Sequence, residues 1–177
     1  MVADAPANQV QTFSLVTRDR PGVLVRIAMV FARRSYNIES LAVSPGAVEG
    51  FARFTITSRG HPDGVDQIRK HLTKLIDVVF VADHRGAAPI EVEIALVKVR
   101  CPAATRDAIA TLVAAAGASI VDEADGMVVV CATGTSVEVS RLITSLQAHR
   151  VEELVRSGRI LMDRGASQFA QILRPEG

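Results

Sequence analysis

The stretch Asp19–Leu41, DRPGVLVRIAMVFARRSYNIESL, decides the fold. Val23, Leu24, Ile27, Val30 and Phe31 recur at helical spacing, so residues 21–34 are expected to form a helix with one face on a core. The entrance carries more than a helix start requires. One Asp, Ser or Thr oxygen normally satisfies a free backbone N–H there. Here Pro21 sets φ without wasting a needed donor, and Gly22 leaves room for another molecule to approach the amides. An exposed helix start of this kind suits an anion.

Outward from this helix the hydrophobic period changes. QTFSLVT (11–17) reads as a strand before it. IESLAVSPG (38–46) and EGFARFTITSR (49–59) are alternating runs around a Pro-Gly turn, the signal of a hairpin. PDGVDQIRKHLTKL (62–75) restores the helical period through Val65, Ile68, Leu72 and Leu75, and DVVFVADH (77–84) is a last strand. The order is βαββαβ, a split sheet with both helices on one face. Apolar alternate positions on FARFTITS and DVVFVADH call for a cover on the other face, from a sister domain or a partner protomer, and at least a dimer is expected.

The order then repeats. EVEIALVKVRC (91–101) is a strand, Pro102 opens a helix through AATRDAIATLVAAAG, and SIVDEADGMVVVCATG (119–134) turns at Asp125-Gly126. SVEVSRLITSLQAH (136–149) is a helix with Ser136 as cap and Val137, Val139, Leu142, Ile143 and Leu146 on its buried side. VEELVRSGRIL (151–161) fits a final strand by alternation and a helical turn by its Glu-Glu and Leu. HRGAAP (84–89) reads as a linker. The expected class is α+β, with a flexible N-terminus at 1–9 and tandem ferredoxin-like domains at 10–85 and 90–177.

Composition narrows the function. A chain of 177 residues, 49% hydrophobic and 4% aromatic, can bury a core in one domain or two small ones. Twenty basic residues against nineteen acidic ones leave a net charge of +1, so no general field draws nucleic acid or anionic membrane. MVADAPANQ has no signal-peptide core, and no apolar run approaches the roughly 18 residues that span a bilayer; a cytoplasmic protein is expected. Cys101 and Cys131 read as buried thiols, and His61, His71, His84 and His149 are too scattered to pair on a metal. Asp122, Glu123 and Asp125 read as a solvated loop. No phosphate-binding loop, dinucleotide turn or nucleophile elbow is present, so neither a catalytic residue nor a cofactor of this chain is expected. A ferredoxin-like enzyme would need a reactive residue that the sequence does not offer.

The residues also carry a resemblance. RDRPGVLVRIAMVFARRSYNIESLAV (18–43) resembles the opening of the ACT domain, a small-molecule regulatory module, and specifically that of the regulatory (small) subunit of acetolactate synthase, or acetohydroxyacid synthase. HLTKLIDVVFV, EVEIALVKV and VRSGRILMDRG are similar to that subunit's later segments in the same order. Ser35 stands where the family usually has glycine, the residue that readily supplies a left-handed helix C-cap.

The resemblance implies a homodimer that activates a catalytic subunit using thiamine diphosphate, FAD and magnesium, and that makes it sensitive to valine or another branched-chain amino acid. It implies an effector held between two ACT domains, its carboxylate on the backbone of Gly22 and Val23. Asp19 then either receives the effector's ammonium or caps the helix. Asn37 either bridges to the effector or serves the elbow. Leu24 and Ile38 would meet a branched side chain. A tandem ACT regulator of a different system is the alternative.

Overall fold

The computed structural model describes residues 9–61, 64–85 and 88–165. The expectation of a flexible N-terminus falls almost wholly outside them. The chain divides into two units, one holding residues up to Ile90 and again from Leu161, the other Glu91–Ile160.

The first unit runs β1 (Gln9–Arg18), α1 (Val23–Ala32), β2 (Asn37–Pro45), β3 (Phe51–Gly60), α2 (Val65–Leu72) and β4 (Val78–Asp83). Its antiparallel sheet has the order β2-β3-β1-β4, so β2 and β4 are its edges. Phe13 and Leu15 of β1 and Ala52, Phe54 and Ile56 of β3 face Val23, Ile27 and Phe31 of α1 and Val65, Ile68 and Leu72 of α2. Phe13 and Phe31 meet edge to face at 5.7 Å, the arrangement favoured by the ring quadrupoles.

This core corrects one expectation. The apolar alternate positions of FARFTITS lie under the chain's own helices and do not call for a partner. The other face carries Thr12, Ser14, Thr55 and Thr57, all but Thr12 buried. Alternation shows that a strand has two faces but not which one its own helices cover. Residues 161–163 lie against the hydroxyl-bearing face: Arg53 Nη2 donates to the Leu161 carbonyl at 2.7 Å, and His84 Nδ1 stands 3.9 Å from Asp163 Oδ1. His84 Nε2 is 2.8 Å from Ser14 Oγ. Burial pushes the His84 imidazole below its usual range, opposed by the nearby Asp163 carboxylate.

Helix α1 ends in a Schellman motif. Tyr36 N–H donates to Phe31 O at 3.1 Å, and Ser35 N–H to Ala32 O at 3.0 Å, with Ser35 itself at φ 56°. Serine therefore adopts the left-handed conformation that glycine takes most readily.

The second unit runs β5 (Ile90–Arg100), a 3-10 turn (Ala103–Thr105), α3 (Arg106–Ala115), β6 (Ser119–Ala124), β7 (Met127–Gly134), α4 (Ser136–Leu146) and β8 (Val151–Arg156). Its main strands run in the order β6-β7-β5-β8, and a short strand β9 (Ile160–Met162) follows in the chain. The hairpin turns with Asp125 at φ 53° and Gly126 at φ 70°, the double left-handed step expected of Asp-Gly. VEELVR resolves as a strand because residues on both of its faces find partners on β5: Glu153 takes Lys98 Nζ at 2.8 Å, and Arg156 grips the buried Glu93 through two bonds of 2.6 and 2.9 Å.

Two local readings of α4 change. Its cap is Thr135, whose hydroxyl accepts from Glu138 N–H while the Glu138 carboxylate accepts from Thr135 N–H, a reciprocal box. Ser136 is one residue too late and is held by Glu91 Oε1 at 2.8 Å. Val137 consequently points outward and is 64% exposed. Cys101 is buried and Cys131 half-buried, both as free thiols. No helix among the described residues is long and apolar enough to cross a membrane.

Candidate functional site

The chain enters α1 through Arg20-Pro21-Gly22-Val23. Val23 N–H reaches back to Arg20 O at 3.3 Å, and Gly22 sits at φ 81°, ψ −4°, the third position of a type II turn. Proline presets the second position, and the third demands a positive φ, so the Pro-Gly pair is a geometric requirement. Gly22 is the helix cap, and no side-chain oxygen caps the first turn. The amides of Leu24 and Val25 are left without an acceptor among the described residues. The first turn of α1 also holds no acidic residue, whereas those of α2, α3 and α4 carry Asp66, Asp107 and Glu138. Open donors, the positive end of the helix dipole and no carboxylate within the first turn make this entrance receptive to an anion.

Two arginines add charge. Arg26 Nη2 bonds Asp77 Oδ2 at 2.5 Å, and Arg20 Nη1 stands 3.9 Å from Asp77 Oδ1. The Asp77 side chain is only 6% exposed, and its carbonyl accepts Arg18 N–H at 2.8 Å, which fixes the start of β4 beside the end of β1. A Cβ built on Gly22 would lie 3.2 Å from Arg26 Nη1. The room that glycine leaves is thus taken by the chain's own guanidinium.

The six residues singled out in the sequence fall into two groups. Asp19, Gly22, Val23 and Leu24 gather at the helix entrance. Asp19 is exposed, with its N–H on Gly50 O at 2.8 Å, and its side chain makes no cap hydrogen bond to α1 among the described residues. Val23 is a core residue at 4% exposure, and Leu24 is 42% exposed. Asn37 is exposed at the start of β2, and Ile38 packs partly on the core. Asn37 pairs with Arg59 at the opposite end of the sheet from Arg18, Phe51 and Pro45. From the rise of α1 and its elbow, the groups lie on the order of 15–20 Å apart within one chain.

Sequence reasoning missed Arg20, Arg26 and Asp77. Arg26 was within reach of it, since i and i+4 share a helix face. Asp77 was not, because its place depends on the pairing of β4 with β1.

The fold and this helix entrance place the first unit among the ACT domains, with a second ferredoxin-like unit in tandem. Residues 13–80 match the family model of an AHAS small subunit-like ACT domain, and residues 92–165 match that of the small subunit of acetolactate synthase. The chain belongs to the acetolactate synthase small-subunit family. It is 34% identical over 154 residues to the acetolactate synthase small subunit of Mycolicibacterium smegmatis, covering 87% of this chain and 91% of that one. The corresponding protein of Mycobacterium leprae is 36% identical over the same shares. The crystal structure of the Thermotoga maritima small subunit superposes with a TM-score of 0.79 at 30% identity, covering 90% of this chain and 99% of that one.

Proposed function

We propose that this chain is a regulatory subunit that activates the thiamine-dependent catalytic subunit of acetolactate synthase and makes it responsive to valine or a related branched-chain amino acid. The observation that carries the reading is the uncapped, cation-flanked entrance of α1 in a chain whose two halves both match the small-subunit family. An amino-acid carboxylate satisfies the free amides. Cofactors of the reaction, thiamine diphosphate, FAD and magnesium, belong on this reading to the partner.

The effector site is completed by a second copy. Leu24, Val25 and Met29 form an apolar stripe on the outside of α1, 42%, 61% and 46% exposed. α1 packs beside β2, one of the two edges of the sheet. Antiparallel pairing of two β2 edges about a two-fold axis joins the α1 stripes. It also brings Asn37 of one copy to the Pro45 end of the other, where Asp19, Gly22 and Leu24 lie. The 15–20 Å gap inferred above from helix rise closes across the interface.

The test is reconstitution. The purified chain is expected to form no acetolactate alone, to co-purify with the catalytic subunit, to raise its rate, and to make that rate fall with added valine. A chain that neither binds the catalytic subunit nor changes its rate belongs to a different regulatory system and overturns the reading.

A further inference from the structure

The Arg26–Asp77 pair could serve only to tie α1 to the start of β4, and its geometry argues for more. Side chains on a helix lean toward its N-terminus, so Arg26 projects back over the preceding turn. Only Nη2 of its guanidinium is spent on Asp77. Nη1 lies over the bare side of Gly22, 3.2 Å from the place a Cβ would occupy, and it has no partner among the described residues. Asp77 is almost fully buried, so it anchors one side of the guanidinium and leaves the other nitrogen over Gly22, the cap of the helix whose Leu24 and Val25 amides are open. Arg20 approaches the same carboxylate only to 3.9 Å and is 60% exposed, so it is held less closely than Arg26.

We propose that Arg26 is a carboxylate-binding residue of the effector site and that Asp77 is its positioning residue. The inference rests on the reading of the α1 entrance as that site. The helix amides grip one carboxylate oxygen, and Arg26 Nη1 donates to the other. Gly22 is then required twice, for its positive φ and because any side chain would push Arg26 Nη1 away. Specificity for a free α-carboxylate follows, since an amide in its place presents a neutral group to a guanidinium and gives up the charge-assisted bond.

The experiment compares L-valine with L-valinamide, by calorimetry, on the full chain and its variants. Wild type is expected to prefer valine. Arg26→Gln should weaken valine about tenfold or more, the scale of a lost charge-assisted hydrogen bond, while leaving valinamide unchanged, so that the ratio of the two affinities collapses. Asp77→Asn should lower the ratio in the same direction, and Asp77→Glu should recover part of it, which a purely structural tie would not do. Should Asp77→Asn fail to fold, the exposed Arg26→Gln decides alone. Wild-type binding of valine with an unchanged ratio in Arg26→Gln overturns the assignment of Arg26. A wild-type chain that takes up neither valine, leucine nor isoleucine overturns the effector reading itself, and this inference with it.

Discussion

Met29→Glu isolates the two-fold pairing from everything else that α1 does. Met29 is 46% exposed, on the outer side of the helix and more than one turn beyond the entrance amides. Glutamate is a good helix former, so the isolated fold should hold its stability within about 0.5 kcal/mol. Packed against its symmetry mate, each Met29 side chain would bury about 90 Å² of apolar surface. At about 25 cal/mol per Å², the two copies contribute about 4–5 kcal/mol to association, roughly a thousandfold in the dimer constant. Glutamate removes that contribution and brings two like charges together near the axis. Sedimentation equilibrium from nanomolar to micromolar chain, with circular dichroism as the folding control, reads the change. Valine affinity measured alongside should fall as well, because the proposed site draws on two chains. A variant that folds, keeps the wild-type association constant and binds valine normally would refute the pairing through α1 and β2.

Three further outcomes follow from particular residues. Ser35→Gly should stabilise the first unit by about 0.5–1 kcal/mol, since it relieves a serine held at φ 56° and returns part of the gain as chain entropy; denaturant melts followed by Tyr36, the sole tyrosine in a chain without tryptophan, would detect it. Gly22→Asp should abolish inhibition by valine while leaving activation of the catalytic subunit, because its carboxylate occupies the amides and Arg26. It should also cost about 1–2 kcal/mol of stability for a non-glycine residue at φ 81°, whereas Gly22→Ala carries the strain without the charge and should lose less sensitivity. The third concerns pH: the folded His84 is depressed by burial, so the unfolded chain binds a proton first, and stability of the first unit should decline as pH falls through the unfolded value near 6.5. The groups facing His84 are Ser14 on β1, Arg53 on β3, Asp83 on β4 and Asp163 after β9. His84→Gln should flatten that decline, and an unchanged slope would remove His84 as its cause.

The parts of the fold legible in the sequence were those set by local chemistry. The Asp125-Gly126 turn and the periodicity of α1 and α2 needed no knowledge of distant partners. So did the presence of a Pro-Gly entrance, although its turn type and the cap at Gly22 itself came from the structure. Pairing was less legible. The phase of β3 against the helices, the outward Val137 and the burial of Ser14 all depend on which face another element covers. The cap of α4 slipped by one residue because Thr135 and Ser136 are both good caps, and only Glu138, three residues after Thr135, completes the box. At the candidate site, the backbone half was readable from Pro21 and Gly22. The charged half was not, since Asp77 reaches Arg26 only through the β1–β4 register.

The same topology occurs twice in the chain, yet only one copy has a receptive helix entrance, and the difference is chemical. α3 is approached through Pro102 in extended backbone and a 3-10 turn, with no positive-φ glycine at the step. Asp107 supplies a carboxylate within its first turn, and Arg106 is engaged by Glu123 of the edge strand β6 through two bonds of 2.8 Å. The cation that would meet an effector carboxylate in the first unit is thus engaged through two nitrogens in the second, whereas Arg26 spends only Nη2 on Asp77, and a carboxylate already stands in the first turn of α3. The helix α4 is closed by its own capping box in the same sense. Effector binding should therefore saturate at one branched-chain amino acid per chain, two per symmetric dimer, and survive Arg106→Gln unchanged. Calorimetric titration of the full chain with valine counts the sites directly: saturation at two per chain would place a second site in Glu91–Ile160 and undo the chemical distinction drawn between α1 and α3.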